Sequence, residues 1–438
     1  MNNYKENEEV RMSIRGKRLL LLGGSSWKNA LEDFAEYTGV KLIATGNDTS
    51  SGIFEIAKEG YEVDSTNKEA MKALILSKNI DGVYMGGSEQ VIGAACEYLQ
   101  DLNMPCYCSK KQWDFIQNKA NLKEKFIEFD IPVAPRYELT YDEIDINADS
   151  ISFPVITKPV DSCGSSGFSI CSNVEELKIG YKLAEKNSVS GDVMIEKFVK
   201  NKGVVVLYTF TNGEMVFSGL EDKYPIKYTD DGSFVVGMVI FESRFTKEFR
   251  ERFDAKLAKM FKEMDISEGT VWIEVFHDGD EYYFNEAGYR YGGSVTVYPV
   301  NYFYGINQVY GDMYYALTGE SKIKDWPSLI KTENVGKRYY AIYPIYVNSG
   351  IISKVIGVEE VRNMSNVVTV IQTKSVGSNI AATGNFSQNF GMVHFVFDSK
   401  DEFKETVRKI DNVLKIIDDN EHDMTIVHED SFLDTIVI

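Results

Sequence analysis

Residues 1–16 are mostly polar and carry no apolar period, which predicts a frayed end. Residues 17–24, Lys-Arg-Leu-Leu-Leu-Leu-Gly-Gly, then read as a buried strand closed by a glycine turn. The pattern predicts helices over 27–37, 69–77 and 89–99, with strands over 40–45 and 82–85 between them. Strands alternating with helices predict a parallel, doubly wound sheet. Gly23-Gly24-Ser25 and Gly86-Gly87-Ser88 both fall where a strand gives way to a helix, the ligand edge of such a sheet. Neither is a full GxGxxG, so they read as turns that touch a small substrate rather than a dinucleotide.

Beyond residue 110 the order of elements changes. A helix is predicted over 110–129, stopped by Ile131-Pro132. An apolar strand over 153–157 runs into Lys158-Pro159, and a short strand over 168–171 and a helix over 174–186 follow. Strands are predicted over 193–199, 204–211, 215–220 and 234–241, then a helix over 246–264. Residues 302–318 read as one helix whose tyrosines at 302, 304, 310, 314 and 315 form a core stripe. After Pro327 and the polar stretch 331–337 come strands over 339–346, 367–373 and 392–397 and a helix over 401–417.

Residues 271–293 form the pattern that matters most. Two strands flank a turn at Asp278-Gly279-Asp280, and each carries a glutamate, Glu274 and Glu286, with Arg290 four residues further on. A carboxylate in an apolar strand is costly unless a cation meets it. A three-residue loop would set Glu274 opposite Phe284 and Glu286 diagonally on the same face, at roughly 7–8 Å. A two-residue loop would put the glutamates on opposite faces. Two carboxylates converging beside an arginine suit Mg²⁺ and a polyphosphate. An amphipathic hairpin with two incidental glutamates is the alternative these residues leave open.

Composition narrows the classes. The chain has 438 residues, 44% of them hydrophobic, enough for two to four domains. Its net charge of −19 disfavours nucleic acid or an anionic membrane as partner, but not a nucleotide held by local cations. The apolar runs are too short to span a bilayer, and the polar, acidic first ten residues are unlike a signal peptide, which predicts a cytoplasmic location. The five cysteines (96, 106, 108, 163 and 171) include no CxxC, which fits a reduced compartment. The four histidines have no zinc spacing, and His277 reads as a surface residue.

Three further pieces carry candidate chemistry. Lys158 ends a strand just before Gly164-Ser165-Ser166-Gly167, whose small residues let backbone N–H groups and hydroxyls turn toward an anion. That loop joins two strands, so it is not a Walker motif, and alone it reads more often as a plain turn. Lys119 is a second candidate cation, with a solvated helix lysine as the alternative. Glu196-Lys197-Phe198-Val199 ends a strand and could present an adenine-binding edge.

In this order the pieces resemble the ATP-grasp superfamily, in the branch of biotin carboxylase and the L-amino acid ligases. The resemblance rests on Lys119, Lys158 to Gly167, Glu196 to Val199, Glu274, and Glu286 to Arg290, and extends over residues 17–420. It implies an α/β fold, α+β overall. An N-terminal doubly wound domain (1–110) would precede a two-lobed ATP-grasp core. The core would comprise a small lobe (111–200) and a large lobe with the hairpin (201–335), followed by a C-terminal α+β lid domain (336–438). It implies that Lys119 and Lys158 contact ATP phosphates, that Ser165, Ser166 and Gly167 lie over them, and that Glu196, Lys197 and Val199 meet adenine. Glu274 and Glu286 would hold Mg²⁺, with Mn²⁺ as the alternative ion. Arg290 would stabilise charge on the phosphoryl group or the substrate carboxylate. The sequence departs from the family where Gly288 replaces the usual asparagine after Glu286, and where Gly203 aligns with a ribose-binding glutamate.

The implied activity is ADP-forming ligation of a small carboxylate to an amine through an acyl phosphate, in a chain that could form a homodimer. The rivals are a nucleotide-binding module without ligase chemistry and a biotin-dependent carboxylase subunit. The nearest match to a biotin-carrying hairpin, Ala70-Met71-Lys72-Ala73, lacks the second methionine and reads as helix.

Overall fold

The structure, a computed structural model, describes residues 2–160, 167–199, 202–227, 234–279, 281–322, 326, 329–330 and 338–438. The N-terminal strands form a four-stranded parallel sheet in the order Glu59–Glu62, Lys41–Gly46, Arg18–Leu21, Gly82–Tyr84. Its apolar run is buried on both faces: Leu20 and Ile43 join one core cluster, Leu19, Leu21 and Leu42 the other. This is the expected doubly wound arrangement. The two glycine turns meet at its edge, where a Cβ on Gly86 would lie 2.7 Å from the Gly23 Cα.

A second sheet of four strands, Arg136–Tyr137, Val193–Lys197, Val155–Pro159 and Ser169–Cys171 in that order, is covered by the helix Val174–Asn187. The largest sheet has nine strands. Its path runs Glu281–Gly288, Gly269–Asp278, Lys202–Thr211, Glu214–Ile226, Val235–Phe241, Tyr339–Val347, Asn389–Phe397, Val367–Gln372, with Thr425–Ile426 beside Tyr339–Val347. All its pairings are antiparallel. The segment leading into this second sheet meets the hairpin where Phe284 N–H donates to the Pro132 carbonyl at 2.8 Å.

Several elements differ from expectation. Residues Asn2–Ile14 are helical rather than frayed, held by Ile14, which is fully buried. The helix expected over 110–129 is two, Lys110–Gln117 and Lys119–Glu128, and Asn118 ends the first while its side chain caps the second. The tyrosine-rich helix is also two, Val297–Tyr304 and Gln308–Thr318, separated at Gly305 (φ 63°). The helix expected over 401–417 stops at Val413, and Lys415–Asp418 is a strand. His277 is buried, its ring 4.4 Å from that of Phe245 and 4.5 Å from that of Tyr282. Its neighbours on the strand alternate, and its face packs under the helix Thr246–Glu263.

Candidate active site

The site lies on one face of the nine-stranded sheet. Glu286 pairs with Glu274, Glu274 with Val205, and Val205 with Glu221, so three carboxylates stand in one row across the strands. Lys223 follows Glu221 by two residues and shares its face.

The hairpin reaches this arrangement by an unexpected route. Asp278 pairs with Glu281, so two residues, not three, separate the paired ends. A regular ladder on that loop would turn Glu286 to the far face. The register instead shifts between Glu274 and Val275: Val275 faces Phe284, Glu274 faces Glu286, and Asn285 is the extra residue of a bulge. The glutamates are therefore directly opposed rather than diagonal. The bulge also aims Asn285 into the site, where Nδ2 donates to Glu274 Oε2 at 2.9 Å and Oδ1 accepts from Lys158 Nζ at 3.2 Å.

Lysines from three other segments meet these acids. Lys119, the first residue of its helix, lies 2.8 Å from Glu286, and Lys223 lies 3.3 Å from Glu274. Burial opposes ionisation of Glu286, but Lys119, then Lys158 and Lys223, outweigh it and hold the carboxyl below its ordinary value. Lys158 bridges the two sheets: it reaches Asn285 on the hairpin and Glu196 Oε2, at 2.8 Å, on the neighbouring strand of its own sheet. Glu196 is 1% exposed and also pairs with Lys123. Burial acts against its charge, and Lys158 and Lys123 overcome that, keeping it ionised. Lys123 is itself pushed below its ordinary value, by burial and then by the neighbouring Lys158 charge.

Of the residues singled out in the sequence, the structure brings together Lys119, Lys158, Glu196, Glu274 and Glu286. Lys197, next to Glu196, points outward and is exposed, while Val199 is buried. Arg290 turns to the N-terminal domain: its guanidinium pairs with Glu89 at 2.6 Å, donates to the Tyr291 carbonyl and lies over the Trp272 ring at 5.3 Å. Ser165 and Ser166 lie outside the described residues, and Gly167 begins the next described stretch with φ 74°.

Four contributors escaped sequence reasoning or were named only in passing: Lys123, Glu221, Lys223 and Asn285. The signal for two of them was Glu221-Asp222-Lys223, three charges inside an otherwise strand-like run. Glu221 is 1% exposed, and its Oε2 has no hydrogen-bond partner. Burial pushes its carboxyl up to about 7, with Lys223 opposing and Asp222 and Glu274 adding to the rise. Gly288 is explained by its cross-strand partner. A Cβ there would lie 2.3 Å from the Trp272 Nε1, so the indole occupies the space a side chain would need. The amide missing at 288 has a counterpart at Asn285. Two opposed carboxylates with an amide oxygen nearby are an all-oxygen donor set of the kind that holds Mg²⁺.

The D-ala D-ala ligase C-terminus family matches residues 126–292, a span that contains all of these acids and Lys158 but not Lys119. The formate-dependent phosphoribosylglycinamide formyltransferase of Wolinella succinogenes is 24% identical over 298 residues, covering 65% of this chain and 73% of that protein. That of Prochlorococcus marinus is 26% identical over 208 residues, and there the match spans 46% of this chain and about half, 53%, of the relative's length. Among solved structures, the L-amino acid ligase of Bacillus licheniformis superposes with a TM-score of 0.70 at 21% identity, covering 93% of this chain and 100% of that one. The biotin carboxylase of Campylobacter jejuni gives 0.72 at 17% identity, covering 93% of both chains. No helix among the described residues is long and apolar enough to cross a membrane. Over residues 126–292, the segment that carries Lys158, Glu196, Glu274 and Glu286, the chain matches the D-ala D-ala ligase C-terminus family, and its fold is that of the ATP-grasp ligases on which it superposes.

Proposed function

We propose that the chain is a cytoplasmic, ATP-dependent, ADP-forming carboxylate–amine ligase that works through an acyl phosphate. The observation that carries this reading is the opposed pair Glu274–Glu286, met across the cleft by Lys119 and Lys158. Mg²⁺, held by Glu274 and Glu286 with Asn285 beside them, would supply Lewis-acid neutralisation of phosphate charge. The orphaned Glu221 carboxylate next to Lys223 supports the fit, since the site holds more oxygen donors than its own hydrogen bonds use.

In this reading Lys119 and Lys158 exchange their carboxylate partners for phosphate oxygens when nucleotide enters. Lys158 can leave Glu196 because Lys123 remains to compensate that buried acid. Arg290, between Trp272 and Glu89, is the group for the substrate carboxylate. Positioning and charge neutralisation carry phosphoryl transfer of this kind, and no protein nucleophile is required. The amine then attacks the acyl phosphate carbon and phosphate leaves. Ser165, Ser166 and Gly167 cover the phosphates, and Lys197 and Val199 belong to the adenine edge.

The relatives named above use formate and phosphoribosylglycinamide, so this pair is one arm of the test, beside paired amino acids and other small carboxylates and amines. The measurement is ADP and phosphate release, with and without each substrate. Release that needs both a carboxylate and an amine is expected. ATP binding without turnover on any pair would instead leave a nucleotide-binding module. A homodimer goes with this reading, since a solved relative, the biotin carboxylase domain of Hydrogenobacter thermophilus 2-oxoglutarate carboxylase, is a dimer. Sedimentation velocity would decide it.

A further inference from the structure

Away from the lysine–glutamate site, a different set of ligand atoms converges. Cys96 lies on the helix Glu89–Asp101, and Cys106 and Cys108 lie in the connection that leads to the helix Lys110–Gln117. Their sulfurs are all within 4.8 Å of one another, the one such group of three metal-ligating side chains among the described residues. Cys96 Sγ and Cys108 Sγ are 3.2 Å apart, and both residues are buried. Cys106 is half-buried and donates to the Cys108 carbonyl at 3.0 Å. A fourth sulfur follows, Met85 Sδ, 3.9 Å from Cys106 Sγ. Tyr98, two residues on from Cys96, is fully buried and its hydroxyl has no hydrogen-bond partner.

We propose that Cys96, Cys106 and Cys108 form a binding site for a thiophilic closed-shell cation, Zn²⁺ or Cu⁺. Metal–sulfur bonds of about 2.3 Å place three thiolates about 3.8–4.0 Å apart, so small side-chain rotations suffice to close the set. All-sulfur donors select these ions over Mg²⁺, which keeps the site distinct from the carboxylates. Each coordinating thiol gives up its proton to solvent as the ion binds. Access is through Cys106, which lines a small, partly open pocket with Met85, Tyr107, Arg290 and Asp312.

The ion would also brace the ligase site. Tyr107 lies between the two ligands Cys106 and Cys108, and its hydroxyl donates to the Tyr289 carbonyl at 3.1 Å, while the Tyr289 hydroxyl lies 2.6 Å from the Glu268 carbonyl and 3.0 Å from that of Tyr107. Tyr289 immediately precedes Arg290. Loading the cysteines therefore fixes the segment against which Arg290 is mounted.

The test uses the full chain, reduced and free of oxygen. Titration with Co²⁺ is expected to give a thiolate-to-metal charge-transfer band that saturates at one ion per chain and is bleached by Zn²⁺. The band should be lost in Cys106→Ser and Cys108→Ser and kept in Cys163→Ser and Glu286→Gln. In parallel, Cu⁺ retention against a competing chelator is measured in the parent and in Met85→Leu. Dependence on Met85 identifies Cu⁺ with a thioether ligand, and independence with Zn²⁺ binding identifies three thiolates plus water. Protection of Cys96, Cys106 and Cys108 from alkylation in the loaded parent, read by mass spectrometry, covers the case in which a serine variant fails to fold. A rise in unfolding midpoint with metal should accompany loading. No band, no Cu⁺ retention and equal alkylation with and without metal would overturn the site. So would a band that survives in folded Cys106→Ser and Cys108→Ser.

Discussion

Glu286 shares its charge with Lys119 at 2.8 Å, so in the ligand-free protein it is a paired acid rather than one of two repelling ones. Glu286→Gln keeps the shape and removes the charge. It removes the part-buried Lys119–Glu286 ion pair, and stability without metal should fall by about 1–3 kcal/mol, read as a lower urea midpoint. Turnover should fall about a hundredfold or more, because the proposed Mg²⁺ site loses an anionic ligand beside the phosphates. A variant with parental turnover at ordinary Mg²⁺ removes Glu286 from the site. Glu221 makes a second prediction, with an unusual sign. Its folded carboxyl titrates at about 7, against 4.5 in its ordinary state. Between those values the folded protein holds a proton that the unfolded chain releases, so stability is full below pH 4.5 and declines as pH rises to 7. The displacement corresponds to about 3 kcal/mol. Glu221→Gln should remove that decline and stabilise the nucleotide-free protein at pH 8 while changing little at pH 4.5. Urea unfolding at several pH values measures it, and equal pH dependence in parent and variant would sink the idea.

The hairpin decides what these residues can do, and its geometry rests on one bulge and one indole. Gly288 is opposite Trp272, whose Nε1 would be 2.3 Å from a Cβ there. Gly288→Asn, which restores the residue usual in the superfamily, should therefore cost about 1–3 kcal/mol through overpacking and should not raise activity. Combining it with Trp272→Ala should recover most of the lost stability. A fully stable single variant would mean the indole yields. Such details were not legible in the sequence. Alternation of apolar and polar residues revealed both strands and both glutamates, but only the observed register shows that Asn285 is the extra residue. Val297–Tyr304 was misplaced because it is apolar on nearly every side, with six of its eight residues buried, which leaves no helical period to read. Lys123 was hidden for the converse reason: a lysine in an amphipathic helix reads as solvated, and only the fold brings it to Glu196. The parallel sheet was legible because its runs are ones in which local pattern and tertiary burial agree, and the set Lys158, Glu196, Glu274 and Glu286 was legible through the resemblance to the ATP-grasp superfamily.

At the scale of the molecule, the nine-stranded sheet crosses the boundary that composition placed near residue 335. Val235–Phe241 pairs on one side with Glu214–Ile226, the strand of Glu221 and Lys223, and on the other with Tyr339–Val347. The C-terminal residues also serve that strand's backbone: the Tyr346 hydroxyl donates to the Val236 carbonyl at 3.0 Å, and His428 Nε2 lies 2.9 Å from the Gly237 carbonyl. Met238 and Ile240, buried at 0% and 2%, pack in a cluster whose other buried members all come from 341 onward. A chain ending at residue 335 would uncover both, at about 1.5–3 kcal/mol each, and would expose a seven-residue apolar edge strand to other copies. The disturbance would lie one strand from Lys223 and two from the strand Lys202–Thr211 that supports Glu274. We therefore expect residues 1–335 expressed alone to aggregate or to bind a hydrophobic dye, and to lose the shift in unfolding midpoint that MgATP gives the full chain. Size-exclusion chromatography and thermal unfolding of the soluble fractions of both proteins measure this. A soluble, cooperatively unfolding fragment with full-chain ATP affinity would show that the C-terminal strands only extend the sheet, and that the phosphate-facing half stands without them.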